Sequence, residues 1–263
     1  MNAQRGMSLV FAFASLGACA DARARLVNPT ASASANAEII PGQRITNGRR
    51  VVPGQTSYVI YQLKGTSRVA MGLLSRDILV DTVAPRGRLT LIQRWEFPQG
   101  VQTDTSVVYL DTLEPITYRG SQQGDDFVVD FSRGRAQGTK VARDGTRSVI
   151  DVTAEPFFNE VIDEVFAEAQ PLSMGFGYSY RAYNPGEPPR LLNVRVTGSE
   201  MIPAADGSSI ETWVLEQRGV RDLVVTWWLD KRTRREIRSR VVSPDGSAYF
   251  AALLFASSLT ARK

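Results

Sequence analysis

The sequence predicts a mainly β protein, a long antiparallel meander with one amphipathic helix in mid-chain. Three observations carry that prediction. From Ser57 onward apolar and polar residues alternate with a period of two, as in half-buried antiparallel strands. Asp-Gly pairs in "RDGT" at 143–146, "ADGS" at 205–208 and "PDGS" at 244–247 stand between alternating stretches, where a tight hairpin needs positive φ. A single segment, "AEPFFNEVIDEVFAEAQPL", breaks the period and repeats its apolar residues at three and four.

The alternation places strands near 57–64, 68–75, 77–83, 88–97, 104–111, 115–120, 126–132, 135–142, 146–153, 190–199, 209–217, 222–230, 234–242 and 247–255. Leu192, Val194 and Val196 point one way while Asn193, Arg195 and Thr197 point the other, and Phe127, Val129 and Phe131 alternate with polar neighbours in the same manner. The helix is expected over about 159–169, with Asn159 as its N-cap and Pro171 closing it. Its apolar face carries Phe158, Val161, Ile162, Val165 and Phe166, and its other face, with Glu160, Asp163, Glu164 and Glu168, is read as solvated. "VVYLDTLEPITYR" from 107 and "TWWLDKRTRREIRSR" from 226 both read strand, Leu-Asp, turn, strand; Asp111 and Asp230 are expected to bond backbone amides two residues on. A duplicated half and a shared hairpin chemistry both account for that echo.

The 263 residues carry a net charge of +4, one cysteine and no histidine. Without histidine there is no Ser-His-Asp triad, Cys-His dyad, His-ligated zinc or His-x-Glu deaminase site to build, so no metal site and no cofactor are expected. An enzyme would have to work with carboxylates, Lys, Tyr or Ser. The mild charge, concentrated near the C-terminus, does not suit a nucleic-acid binder. Gly175-Phe176-Gly177 follows a helix instead of joining a strand to one, so it carries no nucleotide-binding reading. Gly124-Asp125-Asp126 reads as a turn.

The N-terminus has its own logic. Arg5 precedes an apolar or small run from Met7 to Ala18, matching a secretory signal and too short to span a bilayer. The organisation expected is a signal over 1–18, a flexible tether over 19–46 and one β-rich domain over 47–263. "VNPTASASANAE" at 27–38 lacks hydrophobic periodicity, and a flexible chain of such length spans roughly 25–30 Å.

Leu16-Gly17-Ala18-Cys19 resembles the lipobox of bacterial lipoproteins: Leu, two small residues, then Cys. That resemblance implies lipidation of Cys19, and Ala20 after it implies an outer-membrane lipoprotein facing the periplasm. Ala18-Cys19-Ala20 and Ala20-Asp21-Ala22 also suit ordinary signal peptidase, which leaves a soluble periplasmic or secreted protein open, and a cytoplasmic protein with a chance apolar start is the third reading.

From about Ser57 to Leu254 the order and patterning resemble bacterial envelope half-barrels, in which a curved antiparallel sheet wraps a helix around an apolar groove. The resemblance is to the Lol lipoprotein carriers and a related family of periplasmic proteins without known function. "YLDTLEPITYR", "EPFFNEVIDEVFAEAQPL", "NVRVTGSE" and "TWWLDKRTRREIR" carry it. It implies a half-barrel or open barrel and, as ligand, a lipid or lipoprotein acyl chain.

A short helix covers less surface than so long a curved sheet exposes, so an apolar groove is expected with Phe158, Val161, Ile162, Val165, Phe166, Trp95, Trp213 and Trp227 as lining; the alternative is that they form a dry core. Lys231, Arg232, Arg234, Arg235, Arg238 and Arg240 form a candidate patch for anionic headgroups or an acidic partner, or else an ordinary charged hairpin. The function expected is a non-enzymatic envelope lipoprotein binding a hydrophobic or amphiphilic ligand. The alternatives are a structural accessory acting through protein contacts and a carboxylate-based hydrolase, which would need two carboxylates about 5–10 Å apart in a cleft.

Overall fold

The computed structural model describes residues 37–43, 46–204, 207–220 and 222–257. The signal segment, Cys19 and the Ala-Asp of "ADGS" lie outside the described residues. In chain order the elements are β1 (Ala37–Ile39), a 3-10 turn (Gly48–Arg50), β2 (Gly54–Lys64), β3 (Ser67–Asp81), β4 (Arg88–Phe97), β5 (Gly100–Tyr109), β6 (Pro115–Gln122), β7 (Asp125–Ser132), β8 (Arg135–Val141) and β9 (Arg147–Thr153). Then come β10 (Phe158–Asn159), a 3-10 turn (Glu160–Ile162) running into α1 (Asp163–Glu168), β11 (Gly177–Tyr183), β12 (Arg190–Pro203), β13 (Ser209–Val220), β14 (Leu223–Asp230), β15 (Glu236–Val242) and β16 (Ala248–Ser257).

Two antiparallel meanders, β2 to β9 and β11 to β16, become one sheet because β16 pairs with β2, placing Phe250 opposite Tyr61. At one end β1 and β10 both add to β11 in parallel; at the other, β9 has no second neighbour, so the sheet is open and not closed into a barrel. Tight turns fall where Asp-Gly predicts them: Gly145, Gly207 and Gly246 all have positive φ, and Asp144 and Asp245 accept from the amides of Thr146 and Ser247 at 2.9 Å.

Two expectations need correcting, and one strand, β11, stands where none was expected. Residues 68–75 and 77–83 are one strand, β3, because Arg76 points inward between Leu74 and Ile78 and only looks like a break. Ala37–Ile39, counted into the tether, is a strand paired with β11. β11 itself carries no alternation, since Tyr178, Ser179 and Tyr180 are all buried.

The two echoing hairpins share a loop geometry displaced by two residues from the sequence match. Tyr109 N donates to Glu114 O and Leu113 N to Tyr109 O; Asp230 N donates to Arg235 O and Arg234 N to Asp230 O. Leu113 and Arg234 occupy the same position, and both have positive φ. Asp230 therefore takes the turn role, accepting from Arg232 N at 2.7 Å, whereas Asp111 instead receives Arg86 at 3.0 Å.

The helix starts as predicted: Asn159 accepts from Val161 N at 3.1 Å, and its amide donates to Ser106 at 2.9 Å. Its last carbonyls are met by Asn47 N and Arg50, both on Ala169 O, at 3.2 and 2.8 Å. Cations near a helix C-terminus also suit its partial negative charge. α1 packs on the sheet, with side chains that reach β3, β11, β13 and β15. Phe166 stacks on Tyr180 at 4.4 Å between centroids and meets Phe158 edge-on at 4.6 Å, joining Ile162 and Val165 in the main core.

Candidate functional site

The expectation of a solvated acidic face on the helix is overturned. Asp163 is 8% exposed and Glu168 2%, because Tyr180 of β11 and Gln217 of β13 meet the first and Arg76 of β3 and Glu236 of β15 the second. Asp163 accepts from Tyr180 Oη at 2.8 Å and from Gln217 Nε2 at 2.9 Å. Burial, with the Glu160 charge beside it, pushes its carboxyl well above the usual range. Glu164 and Glu168 turn toward Arg76 of β3, which is 1% exposed. Arg76 pairs with Glu236 at 3.1 Å and Glu164 at 3.4 Å, and also donates to Tyr58 Oη at 3.4 Å. Glu168 accepts from Glu236 N at 3.3 Å, its other oxygen has no partner among the described residues, and burial pushes it up to about 8. A lone buried guanidinium thus holds the helix against β3 and β15.

Between this helix and the sheet opens a cleft of about 170 Å³, the scale of a cavity that accepts one six-membered ring. Its two walls differ in chemistry. Val220, Leu223, Val225, Trp227 and Val241 of β13 to β15 make a mostly apolar side, with Gln217 and Ser239 among them; Val161 enters from the 3-10 turn before α1, and Trp95 carries the apolar lining on to a third apolar cluster of Tyr58, Ile60 and Leu74 with Met71, Phe97 and Leu253 packed against it. The other side is amides and carboxylates: Gln93, Gln102, Asp104, Gln122, Asn184 and Glu187.

β-sheet register sets the polar wall. Gln93 of β4 stands opposite Arg76 on one neighbour and Asp104 on the other, and Gly120 of β6 faces Asp104 in turn. A Cβ at Gly120 would sit 2.2 Å from Asp104 Oδ1, the atom that accepts from Tyr118 Oη at 2.6 Å, so only glycine leaves room for that bond. Burial raises the Asp104 carboxyl against the hydrogen bonds from Tyr118 and Gln102. Arg190 is held by Glu160 and, at 2.6 Å, by Glu187. Every carboxylate on the cleft is therefore tied to a partner in the fold.

The ligand candidates divide. Val161, Trp95 and Trp227 line the cleft. Phe158, Ile162, Val165 and Phe166 do not; they are sealed in the core, a correction that follows from the covered helix. Trp213 packs against that core, with Lys231 Nζ 4.1 Å over its ring. The basic residues do not converge on one site. Lys231 bonds Glu211 at 2.6 Å, Arg234 donates to Gln170 O, Arg235 to Pro53 O at 3.1 Å, Arg238 meets Glu200 at 3.6 Å and stacks on Trp228, Arg240 lies over Phe250, and Arg232 is exposed. The amide wall and Arg76 were missed from sequence. Their signal is polar residues at inward positions of strands, Gln93 and Asp104 among them, where the alternation calls for apolar ones.

Among the described residues no group of His, Cys, Asp and Glu is arranged to hold a metal ion, and no helix is long and apolar enough to cross a membrane.

Fold and site together define an all-β open sheet wrapped on a short helix, with a two-sided interior cleft. The chain belongs to the DUF3108 family, proteins of unknown function, whose sequence profile matches residues 57–251. No curated protein matches it. A solved structure from Bacteroides fragilis, described as a candidate exported protein with a YmcC-like fold, is similar at 9% identity and a TM-score of 0.36, covering 84% of this chain and 100% of that one.

Proposed function

We propose that the protein is a non-enzymatic lipoprotein of the cell envelope, attached to the outer membrane through Cys19 and facing the periplasm, whose interior cleft binds an amphiphilic ligand. The observation that carries this reading is the cleft with one apolar and one hydrogen-bonding wall. Its volume suits a single ring or a short stretch of chain and not a whole diacyl lipid. The apolar surface beyond Trp95, formed by Met71, Phe97 and Leu253, is where a tail would continue. Commitment of each cleft carboxylate to a structural partner supports binding over catalysis, since a general acid or base must be available to the substrate.

Titration with the neutral hydrophobic fluorophore N-phenylnaphthylamine tests this. Fluorescence enhancement is expected for the native chain, with affinity falling about tenfold in Val161→Asp, which sets a charge on the apolar wall. Equal enhancement in both would place the probe elsewhere. A second reading, an assembly accessory working through protein contacts, is favoured by edge strand β9, whose Val149 is 81% exposed.

A further inference from the structure

We propose that the polar end of the ligand is an uncharged, hydroxyl-rich group of the saccharide kind, and that the cleft rejects phosphate. The inference rests on the two-sided cleft as the binding site and names the chemistry of one of its walls.

The observation behind it is Gln93. It is 3% exposed, lines the cleft, and its side-chain amide has no hydrogen-bond partner among the described residues. Its polar atoms are open to the cleft and not shut off from solvent, so a ligand can reach both ends of the amide: the carbonyl takes a donor and the NH₂ takes an acceptor. A hydroxyl supplies both. A phosphate monoester dianion only accepts and an ammonium only donates, so each leaves half of Gln93 unanswered.

The charge of the wall excludes the anion more strongly. Of the five carboxyl groups lining the cleft, Glu164 is paired with Arg76 and burial holds Asp163 toward its neutral form, while Glu160 and Glu187 both hold Arg190, the one cation of the lining, and Asp104 has no cation beside it among the described residues. A phosphate entering so confined a site meets repulsion without a free counter-charge, which is discrimination by an unfavourable contact. Gln102 and Asn184 add further planar polar groups, and half-buried Trp95, stacked with Phe97, adds aromatic surface to the lining.

The test is calorimetric titration of the full chain carrying Cys19→Ser, which accepts no acyl groups, with dodecyl maltoside, dodecyl phosphate and dodecylamine, each below its micelle concentration, and with maltose. Dodecyl maltoside is expected to bind at least about tenfold more tightly than either charged probe. Gln93→Leu is expected to lose about tenfold of that affinity while its melting temperature holds, because the amide faces the cleft and carries no hydrogen bond of the fold. If Gln93→Leu does not fold, Gln102→Leu at the half-buried neighbouring position replaces it, with the same loss expected.

Dodecyl phosphate or dodecylamine binding as tightly as the maltoside overturns the headgroup inference and leaves the amphiphile reading standing. Unchanged maltoside affinity in the glutamine variant also overturns the headgroup inference. Maltose binding as tightly as dodecyl maltoside removes the amphiphile reading and keeps the saccharide wall. No binding of any probe removes both.

Discussion

Replacing Arg76 by leucine is expected to destabilise the fold by about 3–5 kcal/mol, the largest single loss the structure predicts. Arg76 is the buried cation that faces Glu164, Glu168 and Glu236 together between β3, α1 and β15, with Arg235 acting on Glu168 as well, and its guanidinium also stands 5.1 Å from the Tyr58 ring. Without it the remaining carboxylates either stay charged in a medium that solvates them poorly or take up protons at a cost in free energy. Urea unfolding measures the loss. The double variant Arg76→Leu with Glu236→Leu is expected to recover much of it, because exchanging a buried pair for apolar groups is far less harmful than orphaning one member. A single variant as stable as the native chain would mean that Arg76 does not hold the helix.

Glu168 should make stability fall across neutral pH. Its carboxyl is pushed from 4.5 up to about 8 by burial, partly opposed by Arg76. Between those values the folded protein keeps a proton that the unfolded chain has released. Stability is therefore highest below about pH 4.5 for this group, declines as pH rises, and its contribution is lost above about pH 8. Asp163, also raised by burial, adds a slope of the same sign. Glu168→Gln removes the titrating proton and is expected to flatten the decline by a few kcal/mol between pH 5 and pH 9, as read from urea midpoints at each pH. An unchanged slope in that variant would show that Glu168 is ionised in the folded protein at neutral pH.

These two groups also mark where sequence reading stopped. The strands, the Asp-Gly hairpins, the Asn159 cap and the mid-chain helix were legible, since each rests on periodicity or local backbone chemistry that neighbouring residues carry. Arg76 was not, and it cost twice. Standing at an inward position, it made one strand read as two, and with the cation unplaced, the acidic side of the helix read as facing water. A charge buried against charges from a distant element leaves no local pattern, because the compensation is made across 88 residues in the case of Arg76 and Glu164. The cleft was half legible for the same reason. Val161, Trp95 and Trp227 were found as apolar residues on a curved surface, whereas Gln93 and Asp104 become neighbours only through the pairing of β4 with β5. Aromatic β11 escaped notice because covering it on both faces erases the alternation by which strands are recognised.

The central claim is that the cleft holds an amphiphile. Its most direct test is mass spectrometry of organic extracts from the Cys19→Ser chain, exported to a bacterial periplasm and purified without detergent. The account predicts an amphiphilic compound near one equivalent per protein, depleted in Val161→Asp that still folds. Extracts from the native and variant chains that match each other and the background would contradict it.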